Sequence, residues 1–123
     1  MEDIASMFFH SRTQTHQFHT MVTGDGSFAI HQALQQYYED IIPLIDGIIE
    51  AYQGMYGLIS YKKVAGVDND ASKENILNYF DDLIKFLETK RKDEKLQVSW
   101  IQNELDNLSK LLYSTKYKLI YLG

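Results

Sequence analysis

FAIHQALQQYYEDIIPLIDGIIEAYQGMYG, residues 28–57, is the stretch that decides the fold. Its apolar residues recur at spacings of three and four through Leu34, Tyr38, Ile41, Ile45, Ile48, Tyr52 and Met55, the seam of a bundle helix. Tyr37, Ile42, Leu44 and Ile49 carry apolar character beyond that seam, so more than one face is expected to be covered, which favours a subunit interface. Pro43 interrupts the pattern and is expected to bend the helix or leave a local backbone defect. Asp46 and Glu50 stand one turn apart on one face, so both carboxylates can reach a common point.

Working outward, Ile4 to Val22 reads as a first helix with Asp3 as its cap. Its apolar line runs through Ile4, Phe8, Ser11, Thr15, Phe18 and Val22 and weakens at Ser11 and Thr15. Thr23-Gly24-Asp25-Gly26-Ser27 is a turn, with Ser27 placed to cap the long helix. Leu58 to Ser72 loses periodicity, and its polar part around Ala65-Gly66-Val67-Asp68-Asn69-Asp70 has room for one short helix. A connection of this length can cross a bundle from end to end. A third helix starts at Ser72 and carries Ile76, Leu77, Phe80, Leu83, Ile84 and Leu87. After a charged turn over Glu88–Lys95, a fourth uses Leu96, Trp100, Leu105, Leu108, Leu112 and Leu119. No strand pattern competes, and the sequence predicts an all-α four-helix bundle with a long crossover between its second and third helices.

The 123 residues suit one domain. There is no cysteine, which excludes disulfides and leaves nitrogen and oxygen as the only metal donors. The net charge of -5 opposes a general role in holding DNA, because phosphate binding needs a basic footprint. An acidic start at Glu2-Asp3 does not read as a signal peptide, and no apolar run is long enough for a membrane span, so a cytoplasmic protein is expected.

All four histidines, His10, His16, His19 and His31, fall in the first quarter of the chain. Imidazole and carboxylate together suit iron, with zinc or manganese as substitutes. Asp46, among Ile42, Ile45 and Ile49, needs a partner of some kind, whether a metal, a cationic side chain or a hydroxyl. His16 and His19 share a helix face, so a two-histidine site on the first helix is a lesser alternative. Asp68-Asn69-Asp70 lacks the later glycine and glutamate of a calcium loop, and Gly24-Asp25-Gly26 lacks the ending of a phosphate loop. Tyr113, Tyr117 and Tyr121 are spaced for core or interface packing, beside a modest basic stripe of Lys110, Lys116 and Lys118.

Phe18-His19-Thr20-Met21-Val22-Thr23-Gly24, Phe28-Ala29-Ile30-His31, Tyr38-Glu39-Asp40 and Ile45-Asp46-Gly47-Ile48-Ile49-Glu50 together resemble the ferroxidase signature of the Dps-type miniferritins. These small ferritin-like proteins place a histidine before a valine-x-glycine ending, a second histidine twelve positions on, and an aspartate and glutamate four apart on the second helix. The resemblance spans Met7 to Gly57. It implies a ferritin-like bundle, a two-fold dimer as basic unit, and a hollow homo-oligomeric shell, usually of twelve subunits. It also implies that Fe(II) is oxidised by peroxide or oxygen at sites where His19 and His31 of one subunit meet Asp46 and Glu50 of its partner, and that the oxidised iron is stored, limiting oxidative damage. His16 and Gln35 are accessory candidates.

Three features depart from the family pattern. Thr20 stands where a tryptophan is usual, Gln35 where an acidic residue is frequent, and the chain is short and lacks a lysine-rich N-terminal arm. A short fourth helix would alter shell closure. The alternatives are a non-catalytic structural or interaction bundle, with or without metal, and a nucleoid-associated cage that would need a basic patch created by assembly.

Overall fold

A computed structural model describes residues 1–64 and 66–123; the expected loop position Ala65 lies outside the described residues. Four α-helices and no strand occur among them: α1 (Glu2–Met21), α2 (Ser27–Tyr56), α3 (Lys73–Lys90) and α4 (Ser99–Tyr121), with a single 3-10 turn at Glu94–Leu96 before α4. No helix among the described residues is long and apolar enough to cross a membrane.

α1 folds as an amphipathic helix around Ile4, Phe8, Ser11, Thr15 and Phe18, all buried. The weak middle of that line is made good by hydrogen bonds. Thr15 Oγ donates to the Ser11 carbonyl at 2.7 Å, and Ser11 Oγ donates to the Phe8 carbonyl at 2.7 Å. Because the Ser11 proton is committed there, the Tyr37 hydroxyl must donate to Ser11 Oγ across 2.7 Å. Burial pushes the Tyr37 phenol well above its usual range, so it stays neutral. Asp3 is not the cap of α1 as expected; Met1 holds that place, and Asp3, in the first turn, pairs with Lys62 at 2.7 Å and Lys90 at 3.2 Å.

α2 begins one residue earlier than the periodicity indicated. Ser27 lies inside the helix and the cap is Gly26, at φ 76. A side chain there would be strained by the left-handed backbone, and its Cβ would lie 2.8 Å from the carbonyl carbon of Gly123. The helix runs unbroken through Pro43. The missing proline N–H leaves the Glu39 carbonyl without its helical donor, a defect that is mild because Glu39 and Pro43 are both exposed. The inner seam is Leu34, Tyr37, Ile41, Ile45, Ile48 and Tyr52. Tyr37, not Tyr38, is the core tyrosine, and Met55 is exposed, because the buried stripe is set by the side of α2 on which α1 and α4 pack.

α1 packs beside α2 and α3, and α4 beside α2 and α3, closing a four-membered ring of helices. Direction follows from contacts. The connection over residues 57–72 contains no helix among its described residues and climbs along α1. Ser6 Oγ accepts from the Lys62 N–H at 2.8 Å and His10 Nε2–H donates to the Gly66 carbonyl at 2.8 Å. Gln14 then brackets Asp68, donating to its carbonyl at 2.8 Å and accepting from its N–H at 2.7 Å. One side chain per turn of α1 thus satisfies an extended backbone that has no sheet to join. The crossover therefore starts near the beginning of α1 and ends near its finish, so α3 runs parallel to α2. Ser72 caps α3 by accepting from the Asn75 N–H at 3.2 Å.

α4 returns parallel to α1, its Lys118 reaching Gln36 of α2 at 2.6 Å. It is 23 residues long, so the expectation of a short fourth helix is corrected. Its core residue near the start is Ile101 rather than Trp100, which is only half-buried, and Leu96 is buried from the 3-10 turn that precedes α4. Tyr113, Tyr117 and Tyr121 do not enter the core; they lie on the outer side of α4, between 51% and 72% exposed.

Candidate metal centre

His19 sits in the last turn of α1 and His31 in the second turn of α2, so the tight turn between the helices brings them together. Their rings stack at a centroid distance of 3.5 Å with an interplanar angle of 18°. The hydrogen bonds are reciprocal: His19 Nδ1–H donates to the His31 carbonyl and His31 Nδ1–H donates to the His19 carbonyl, each at 2.7 Å. A carbonyl can only accept, so both rings carry their proton on Nδ1 when neutral and leave a lone pair on Nε2. This is the arrangement by which metal-binding histidines have their tautomer and orientation set. Both side chains are half-buried.

Asp46 and Glu50 lie on the same outer side of α2, Asp46 half-buried and Glu50 exposed. Among the described residues, neither carboxylate has a hydrogen-bond or ion-pair partner: the lysine, arginine or hydroxyl that could have satisfied Asp46 within the chain is not there. Fifteen residues separate His31 from Asp46, which at 1.5 Å rise per residue is about 22 Å along the helix. The structure therefore brings His19 and His31 together and Asp46 and Glu50 together, but not the two pairs. No group of three or more metal-ligating side chains converges within the chain among the described residues.

The accessory candidates border the histidine pair. His16 stacks on Tyr38 at 4.4 Å and lies 5.9 Å from His19. Gln35 donates to Glu39 Oε1 at 3.0 Å, one turn beyond His31. Three further side chains, none of them a sequence-predicted ligand, surround the pair. Tyr38 meets His19 edge-on at 5.3 Å, the Arg12 guanidinium lies over the Tyr38 ring at 5.8 Å, and Phe28 lies 6.4 Å from His31 with 70% of its surface exposed. Their signal is helical spacing: Arg12, His16 and His19 follow one another at four and three, and Tyr38 stands seven after His31. His10 lies apart, on the side of α1 that faces the crossover.

The combined outer face of α1 and α2 thus presents two fixed imidazoles at one end, two carboxylates without a partner among the described residues at the other, and half-buried Gln35, Tyr38 and Ile42 between. Neutral imidazole nitrogen and carboxylate oxygen make a donor set suited to divalent iron, zinc or manganese.

No curated protein and no solved structure matches the chain. The sequence profile of DUF5856, a family of unknown function, matches residues 24–119, which include His31, Asp46 and Glu50 and leave all of α1, with His19, outside. That match spans well over half the chain, which therefore belongs to the DUF5856 family.

Proposed function

We propose that this protein is a ferritin-like subunit of the Dps type, which oxidises Fe(II) with peroxide or oxygen at sites shared between two copies and stores the ferric product. The observation that carries the reading is the reciprocal Nδ1–H to carbonyl pairing of His19 and His31, which commits both Nδ1 protons and leaves both Nε2 lone pairs, on a face that also bears Asp46 and Glu50, neither with a partner among the described residues. Donors about 22 Å apart in one chain share an ion only if a second copy reverses the face. Antiparallel two-fold pairing of α2 that sets His31 opposite Asp46 of the partner subunit also sets Gln35 opposite Ile42 of the partner subunit and Phe28 opposite Ile49 of the partner subunit. It would cover the exposed Phe28 and the half-buried Ile42 together.

In that arrangement the imidazoles bind Fe(II) without adding charge, while the carboxylates neutralise it and favour the ferric state. Two ferrous ions each give one electron to peroxide, whose O–O bond breaks, and hydrolysis of the ferric ions to oxyhydroxide releases protons. The parallel α2 and α3 joined by one long crossover fit a ferritin-like bundle. A second reading, an interaction bundle without turnover, is favoured by the separation of the donors within the chain and by the neutral Gln35 near the histidines.

Anaerobic Fe(II) titration followed by peroxide, with particle mass recorded before and after, tests the proposal. Saturable binding, rapid oxidation and iron retained in an oligomer are expected. An intact oligomer that neither binds nor oxidises iron would establish the second reading instead, and a monomer at high concentration would overturn the shared site.

A further inference from the structure

The outer face of α1 and α2 holds one cation and one carboxylate that the proposed iron chemistry leaves unused. Arg12 is half-buried, its guanidinium resting over Tyr38, and among the described residues no carboxylate lies within ion-pair distance of it. Glu39 is exposed, and among the described residues its carboxylate is held only by the neutral amide of Gln35. In the two-fold register that sets His31 opposite Asp46 of the partner subunit, the axis passes between positions 38 and 39, so Tyr38 and the guanidinium above it meet Glu39 of the partner subunit. The Arg12 guanidinium carbon lies 5.8 Å from the Tyr38 ring centroid, and among the described residues none of its N–H groups has an acceptor, so they are free to donate to a carboxylate.

We propose that Arg12 and Glu39 form two symmetry-related ion pairs across the axis of a dimer of this chain. They fix the register that aligns histidines with carboxylates. The occupant of the face is a second copy, matched to it by charge complementarity at the height of the axis, an inference that rests on the shared-site reading above. A register slipped by one turn would set Arg12 against the apolar Ile42 and separate His31 from Asp46, so the ion pairs discriminate against the unproductive dimer.

The test is a charge swap read by analytical ultracentrifugation on the full chain, with helicity followed by circular dichroism. Arg12→Glu and Glu39→Arg are each expected to raise the dimer dissociation constant by about a hundredfold, on the order of tenfold for each of the two pairs, and the R12E/E39R double variant to return it to within about tenfold of the wild type. Singles that dimerise like the wild type, or a swap no better than the weaker single, would overturn the inference. Should a reversal cost helicity, the milder Arg12→Gln and Glu39→Gln cycle decides, and zero coupling between them counts against it. Saturable iron binding by a wild-type dimer in which positions 12 and 39 are uncoupled ends this inference alone, whereas a wild-type monomer without iron binding ends the shared-site reading as well.

Discussion

At the scale of single residues, the informative side chains are polar ones whose partners are known. Ser11 and Tyr37 form a directed chain from phenol to hydroxyl to the Phe8 carbonyl, entirely buried. Tyr37→Phe removes a donor and leaves no orphan, so a cost of about 1 kcal/mol is expected in denaturant unfolding. Ser11→Ala strands a buried phenol and is expected to cost about 1–3 kcal/mol, most of it recovered by adding Tyr37→Phe. Asp46 is the opposite case. With no partner for Asp46 among the described residues, Asp46→Asn is expected to leave the stability of the isolated subunit within about 0.5 kcal/mol while abolishing saturable Fe(II) binding. A large loss of monomer stability would mean that the carboxylate has a structural role instead.

At the scale of elements, the long crossover is tied along α1, and Gln53 of α2 and Asn75 of α3 hydrogen-bond its two ends. Its anchor at the lower end is electrostatic: Lys62 and Lys90 hold the Asp3 carboxyl below its usual range through hydrogen bonds and charge. A folded-state pKa below the unfolded one contributes stability that is present above the ordinary carboxylate range and lost as pH falls through the folded value. Acidification is thus expected to weaken this tether, and Asp3→Asn to lower stability slightly at neutral pH while flattening the acid limb of the thermal-melting profile. The effect is small because the groups are substantially exposed. An unchanged acid limb in Asp3→Asn would place the pH dependence elsewhere.

At the scale of the molecule, the proposal makes the site a property of a pair. A variant carrying His19→Ala and His31→Ala and another carrying Asp46→Ala and Glu50→Ala are each expected to lose Fe(II) binding. Dissociated and reassembled together, they form mixed dimers in which one of the two shared sites keeps all four wild-type donors, and peroxide-dependent oxidation is expected to return to roughly half the wild-type rate in those dimers. Absence of any recovery in mixtures shown by mass to contain both chains would remove the shared-site arrangement.

Periodicity and spacing determined much of this protein. The number and order of the helices, the seam of α2 and the face shared by Asp46 and Glu50 are readable in one dimension because a helix repeats every 3.6 residues. Local patterns could not choose between neighbours such as Tyr37 and Tyr38 or Trp100 and Ile101, where burial depends on which side the adjoining helix occupies. They could not show that Asp3 would serve the crossover, because its partners stand 59 and 87 positions away along the chain. Nor could they set the state of the histidines. The Nδ1–H groups of His19 and His31 are committed only because the turn between α1 and α2 brings each ring to the other's carbonyl, and a tautomer is decided by the partner that tertiary structure supplies.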